Sequence, residues 1–210
     1  MDSVYDGSRF NAVSFKSGHA WIVGAKNRAK CEGVTPAIWH GDPADKDWGL
    51  DNMLVPDVRG GVLKSIWQTD PDDVWAVGEV FPSEQEHDYL SDKCIDKATG
   101  KEEDVLPAPL VMHWDGVTWE HVKLPAWNVS LTGIAAAGKH DVWASGIDLV
   151  TDEVVFLHYD GGKWTRKNRF VGGSDNNVKM TTIPGTSELW AVGSINGERD
   201  DEKAFILRRR

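Results

Sequence analysis

Apolar and polar residues along this chain repeat one arrangement four times. A short alternating or apolar stretch leads into a small polar turn and then into a β-rich run that ends in glycine. The leading stretches are Phe10 to Phe15, Val62 to Trp67, Ser130 to Ala135 and Val178 to Ile183. The runs that follow are His19-Ala20-Trp21-Ile22-Val23-Gly24, Asp73-Val74-Trp75-Ala76-Val77-Gly78, Asp141-Val142-Trp143-Ala144-Ser145-Gly146 and Glu188-Leu189-Trp190-Ala191-Val192-Gly193. Turns such as Asp70-Pro71-Asp72 and Gly138-Lys139-His140 separate the two halves. An apolar run, a tight turn and a second β-rich run predict a hairpin in each unit.

A second repeated element follows. Val111-Met112-His113-Trp114-Asp115-Gly116-Val117-Thr118-Trp119 returns as Phe156-Leu157-His158-Tyr159-Asp160-Gly161-Gly162-Lys163-Trp164. Ile38-Trp39-His40-Gly41-Asp42, running on to Trp48, is a looser version. Asp-Gly between aromatic-rich strands is a hairpin signal, because glycine tolerates the positive φ such turns demand. Each unit therefore predicts four strands, which is the blade of a propeller. The expected fold is all-β, a single four-bladed β-propeller domain over residues 1–210 with four-stranded antiparallel blades at about 8–57, 58–128, 129–174 and 175–210. The fourth unit ends at Ala204-Phe205-Ile206-Leu207, its third strand. Residues 1–7, in which Val4-Tyr5-Asp6-Gly7 echoes Tyr159-Asp160-Gly161, are expected to close it as an added edge strand. A three-stranded last blade is the alternative, and it leaves an edge open to association.

Val-Trp-Ala-Val-Gly followed by His-Trp-Asp-Gly-x-x-Trp resembles the repeats of a bacterial β-propeller family. The Asp-Gly-x-x-Trp turns are also similar to the Asp-box between strands C and D, although the leading Ser-x-Asp is absent. The resemblance covers nearly the whole chain. It bears on architecture and leaves activity open.

Residues that recur in every unit are expected to hold the fold. Trp21, Trp75, Trp143 and Trp190 repeat at one position, and Trp119 and Trp164 at another, as packing residues do. This reuse accounts for much of an unusual total of 11 Trp in 210 residues. His113 and His158 are also repeats of one position, which favours a structural role over a metal or catalytic one. Asp115 and Asp160 are turn formers.

Function is sought where the units differ. The second unit carries a connection from Phe81 to Pro109 where the third uses only a short turn. Long loops in compact domains are functional or disordered, so this one is either a lid over the channel mouth or a solvated insertion. Its Tyr89 is a candidate ligand contact, and Glu84, Glu86, His87 and Asp88 are candidate general acids or bases. Two further Trp, Trp67 and Trp127, are candidate aromatic contacts, with Trp127 the better candidate for an exposed anchor. The inner stretches, aligned on their apolar residues, place Asn11, Lys64, Thr132 and Lys179 near the channel mouth. Lys64 and Lys179 would then face one another across the axis and could hold an anion or a carboxylate, unless their stems snorkel outwards.

Charge narrows the partners. A net charge of −10 argues against a nucleic-acid backbone, and Arg208-Arg209-Arg210 is the one basic run. No apolar stretch approaches a membrane span, and the N-terminal residues lack a signal-peptide pattern, so the expected compartment is cytoplasmic. Cys31 and Cys94 are expected as free thiols, with a disulfide pinning the long loop as the alternative. Asp42, Asp45, Asp47 and Asp51 do not match a calcium loop, and neither a metal nor a cofactor is expected. Asn128-Val129-Ser130 would matter only in a secreted protein. The reading that follows is a ligand-binding module, monomeric or weakly dimeric, for a small molecule, a glycan or a partner protein. The competing readings are a metal-independent hydrolase, lyase or cyclase, and a protein-interaction scaffold.

Overall fold

The computed structural model describes residues 7–27, 34–41, 51–53, 55, 58, 60–81, 106–173, 178–196 and 202–209. Every regular element among them is a β-strand, and the strands form four separate antiparallel sheets. The first sheet holds β1 (Ser8–Lys16), β2 (His19–Asn27), β3 (Val34–Gly41) and β4 (Asp51–Met53) in that order. The second holds β5 (Val62–Asp70), β6 (Asp73–Val80), β7 (Ala108–Trp114) and β8 (Trp119–His121). The third holds β9 (Val129–Gly138), β10 (Asp141–Asp148), β11 (Glu153–Tyr159) and β12 (Trp164–Gly173). The fourth has three described strands, β13 (Lys179–Thr182), β14 (Leu189–Asn196) and β15 (Glu202–Arg209). Closure by residues 1–7 falls, except for Gly7, outside the described residues. So do Cys31, Cys94 and residues 82–105 of the long connection.

Sequence chemistry accounts for the hairpins. In the β7–β8 turn, Asp115 accepts backbone N–H bonds from Val117 and Thr118, each at 2.8 Å. Asp160 does the same for Gly162 and Lys163 at 3.0 Å in the β11–β12 turn. These bonds hold both carboxyls below the usual carboxylate range, with the Thr118 and Lys163 amides foremost. Gly116 and Gly161 take φ of 97° and 92°, which a side chain would strain.

The glycine that ends each repeated run has a second reason. A Cβ on Gly24, Gly78 or Gly146 would lie 1.7, 1.9 or 2.1 Å from the carbonyl oxygen of Arg9, Val62 or Ser130 on the neighbouring inner strand. Each of these glycines stands beside a β-bulge. The register slips between Phe10 and Ala12, between Leu63 and Ser65, and between Leu131 and Gly133, opposite the Ser145–Gly146 step. The extra residue in each case is Asn11, Lys64 or Thr132. A bulge re-aims the side chain of its extra residue.

The sheets pack side by side through their inner strands, β1 on β5, β5 on β9 and β9 on β13. Three apolar clusters fill the gaps between successive sheets. The first contains Trp21, Ile38, Leu63 and Met112, the second Trp75, Leu131, Ile134 and Leu157, and the third Ile147, Phe156, Val178 and Ala191. Trp21 and Trp75 are each 2 % exposed, so the recurring tryptophan is the packing residue of the interface. Among the described residues β13 makes no comparable packing against β1.

Candidate functional site

The three bulge residues each reach into the next sheet. Asn11 donates from Nδ2 to the Leu63 carbonyl at 2.7 Å, Lys64 from Nζ to Ser130 Oγ at 2.9 Å, and Thr132 from Oγ1 to the Val178 carbonyl at 2.9 Å. Ser145 Oγ donates to the same Val178 carbonyl at 3.0 Å, and the Val178 amide donates to Thr132 Oγ1 at 3.2 Å. One position of the repeat thus ties the first sheet to the second, the second to the third and the third to the fourth.

The fourth residue at this position behaves differently. Lys179 follows Val178 as Lys64 follows Leu63, but its strand shows no bulge, and Lys179 pairs directly with Val192. Its ammonium turns back to the third sheet and donates to the Thr132 carbonyl at 2.9 Å. Burial of that ammonium, and then the charge of Lys64, lower its pKa from the ordinary lysine value. The charge of Lys64 acts on Lys179. Their surroundings are unequal, however. Lys64 has a counter-ion, Glu79 of β6, at 2.9 Å, and that carboxylate side chain is 11 % exposed. Lys179 has no carboxylate partner among the described residues.

Glu79 was not among the sequence candidates, although a signal existed. The residue after the run-ending glycine is Ala25, Ile147 or Ser194 in the other units, and only the second unit puts a charge there. A charge on a strand bonded on both sides calls for a partner, and Lys64 on the adjacent strand supplies it.

The remaining candidates lie elsewhere. Trp67 and Trp127 both pack, partly buried, on the apolar cluster between the second and third sheets. Trp127 is therefore half-buried rather than a free anchor, with its backbone amide donating to the Pro125 carbonyl at 2.7 Å. Glu84, Glu86, His87, Asp88 and Tyr89 lie outside the described residues.

The repeated histidines are fully engaged. His113 stacks on Trp75 with ring centroids 4.0 Å apart, and its Nε2 lies 2.7 Å from Asp73 Oδ1. Trp75 donates its indole N–H to the same oxygen at 3.1 Å. His158, Trp143 and Asp141 repeat the arrangement, with both bonds at 2.8 Å and ring centroids 4.3 Å apart. Burial opposes the charge of Asp73, but bonds from His113, Thr69 and Trp75 outweigh it and lower the pKa. In the first sheet His19 replaces the aspartate, 3.1 Å from His40. In the fourth, Glu188 and Arg208 form an ion pair beside Trp190. These four constellations brace each sheet, so none is a free catalytic group.

No protein-family model matches the sequence, and no curated protein matches it significantly. Solved structures do. A GH43_1 enzyme from Xanthomonas citri, solved with xylotriose, superposes at a TM-score of 0.52 with 11 % identity, over 93 % of this chain and 67 % of its own. YCF48 bound to D1 peptide superposes at 0.50 with 13 % identity, over 99 % of this chain. Both are β-propeller proteins. The chain has a β-propeller fold. Its sheets are blades, and it spans 56 % of the length of YCF48. At these identities the likeness concerns architecture alone.

Proposed function

We propose that the protein is a four-bladed, non-catalytic binding module whose ligand presents a carboxylate or similar anion to the inner strands beside Lys179. The ligand is a small molecule, or the terminal group of a glycan or a peptide. The observation that carries this reading is the inequality of the two lysines. Lys64 is paired with Glu79 and anchored on Ser130, whereas the Lys179 ammonium, among the described residues, has the Thr132 carbonyl and no carboxylate. An ammonium held that way gains most from an arriving anion, which supplies the missing counter-charge.

The pH dependence follows. A bound carboxylate offsets the burial and the Lys64 charge that lower the Lys179 pKa. Binding near that lowered pKa therefore takes up a proton, and affinity falls as pH rises through it. The acid–base alternative rests on residues outside the described ones.

The test uses the full chain and calorimetric titration with citrate, glucuronate and galacturonate, each set against an uncharged analogue. An acidic compound is expected to bind, and Lys179→Met is expected to weaken it roughly tenfold or more. The melting temperature should stay within a few degrees, because Lys179 makes no ion pair among the described residues. Binding that survives Lys179→Met, or uncharged analogues that bind equally well, would show the reading to be wrong.

A further inference from the structure

The two lysines reach one strand from its two sides. Lys64 comes from β5 in the second blade and Lys179 from β13 in the fourth, and both end on β9 of the third. Lys64 Nζ donates to Ser130 Oγ and Lys179 Nζ to the Thr132 carbonyl, each at 2.9 Å. These partners stand two residues apart, no more than about 7 Å along a strand. Ammonium groups gathered on one strand repel each other, and after burial the charge of Lys64 is the second cause of the lowered Lys179 pKa.

Glu79 pairs with one of them. Its carboxylate lies 2.9 Å from Lys64 Nζ, and the position it occupies is Ala25, Ile147 or Ser194 in the other units. Glu79 is buried, Lys64 is half-buried, and Lys179 is exposed as a residue while its ammonium lies against β9. An arriving ligand therefore meets Lys179 first. An ammonium has three N–H donors, and Lys179 gives one to Thr132. Among the described residues two remain, enough for the two oxygens of one carboxylate.

We propose that Glu79 sets the charge of the ligand this site accepts, so that the site takes a single carboxylate and disfavours a ligand that brings two. The inference rests on the reading of Lys179 as the anion's partner. Lys64, Glu79 and Lys179 together carry one net positive charge, which one carboxylate balances. A second carboxylate would lose water without gaining a cation. It would also meet the like charge of Glu79 in a partly buried place, where salt screens little. The ligand class is therefore a monocarboxylate, such as a uronic acid or the terminal carboxylate of a chain, rather than a di- or tricarboxylate. An ion pair that served only to satisfy Lys64 would leave ligand preference unmoved when Glu79 loses its charge, and that separates the two roles.

The experiment is calorimetric titration of the full chain at neutral pH with glucuronate, which has one carboxylate, and glucarate, which has two on the same carbon skeleton. Galacturonate and galactarate form a second pair. Wild type is expected to bind the monocarboxylate of a pair roughly tenfold or more tightly than the dicarboxylate. Glu79→Gln keeps the shape and an oxygen for Lys64 but removes the charge, and should move that ratio roughly tenfold or more towards the dicarboxylate. Lys64→Met combined with Glu79→Gln restores one net positive charge and should return the preference to the monocarboxylate. Differences in shape between the acids cancel when ratios are compared across variants. If Glu79→Gln does not fold, the wild-type comparison, which needs no variant, decides. The proposal is overturned, with the Lys179 reading left standing, if wild type binds both acids of a pair equally or binds citrate in preference to the uronic acids. The same holds if Glu79→Gln leaves the ratio unmoved while Lys179→Met still weakens binding. If no acid binds, both readings fall.

Discussion

At the residue scale, the run-ending glycine is the clearest case of a small residue fixed by a close approach. At Gly78 a Cβ would stand 1.9 Å from the Val62 carbonyl oxygen, which is backbone and cannot rotate away. Gly78→Ala is expected to cost about 1–3 kcal/mol, the usual cost of overpacking, when stability is followed in urea. A loss under about 0.5 kcal/mol, ordinary for a surface change, would mean that the bulge at Lys64 does not depend on this glycine. The glycines were legible as repeats, but the bulges opposite them were not. A bulge is a register event between two strands, and a single strand's alternation does not record it. Aligning the inner stretches on their apolar residues nonetheless placed Asn11, Lys64 and Thr132 at one level, because the bulge recurs at one position. Glu79 was not legible because it sits on β6, and its pairing with Lys64 of the inner strand is a cross-strand contact that one strand's pattern does not record.

At the scale of the element, the second and third blades are braced by an acid, an imidazole and an indole, with His19 in place of the acid in the first and Glu188 with Arg208 in the last. The sequence displayed the histidines and tryptophans as repeats. It hid the aspartates' role, because Asp73 and Asp141 also read as turn residues after Asp72 and His140. The brace has a pH signature. Asp73 has its folded pKa lowered below the ordinary value, so its contribution is present above the unfolded pKa and is lost as pH falls through the folded one. Asp73→Asn should therefore destabilise the protein at pH 7, and the gap to wild type should close towards pH 3. Parallel denaturation series at several pH values measure this. A gap constant across that range would exclude the ionised carboxylate as the source of the stabilisation.

At the scale of the whole molecule, the described blades pack one on the next, and each apolar cluster belongs to two neighbours. The two end blades keep apolar side chains in solvent, Val13 and Phe15 at 67 % and 63 % on β1, and Val192 and Ile206 at 46 % and 66 % on the fourth blade. Architecture was the most legible feature, since four repeats of hairpin chemistry permit few folds. The expected closure of the fourth blade by residues 1–7 falls, apart from Gly7, outside the described residues. The candidate lysine site was legible in part. The alignment found both lysines, but only the geometry separates the paired Lys64 from Lys179. A crystal structure of the protein grown with the acid that binds best would show which lysine takes the anion. The expected result is an anion oxygen within hydrogen-bonding distance, about 2.7–3.2 Å, of Lys179 Nζ, with the Lys64–Glu79 pair intact. An anion bound to Lys64 after displacing Glu79, or bound away from both lysines, would contradict it.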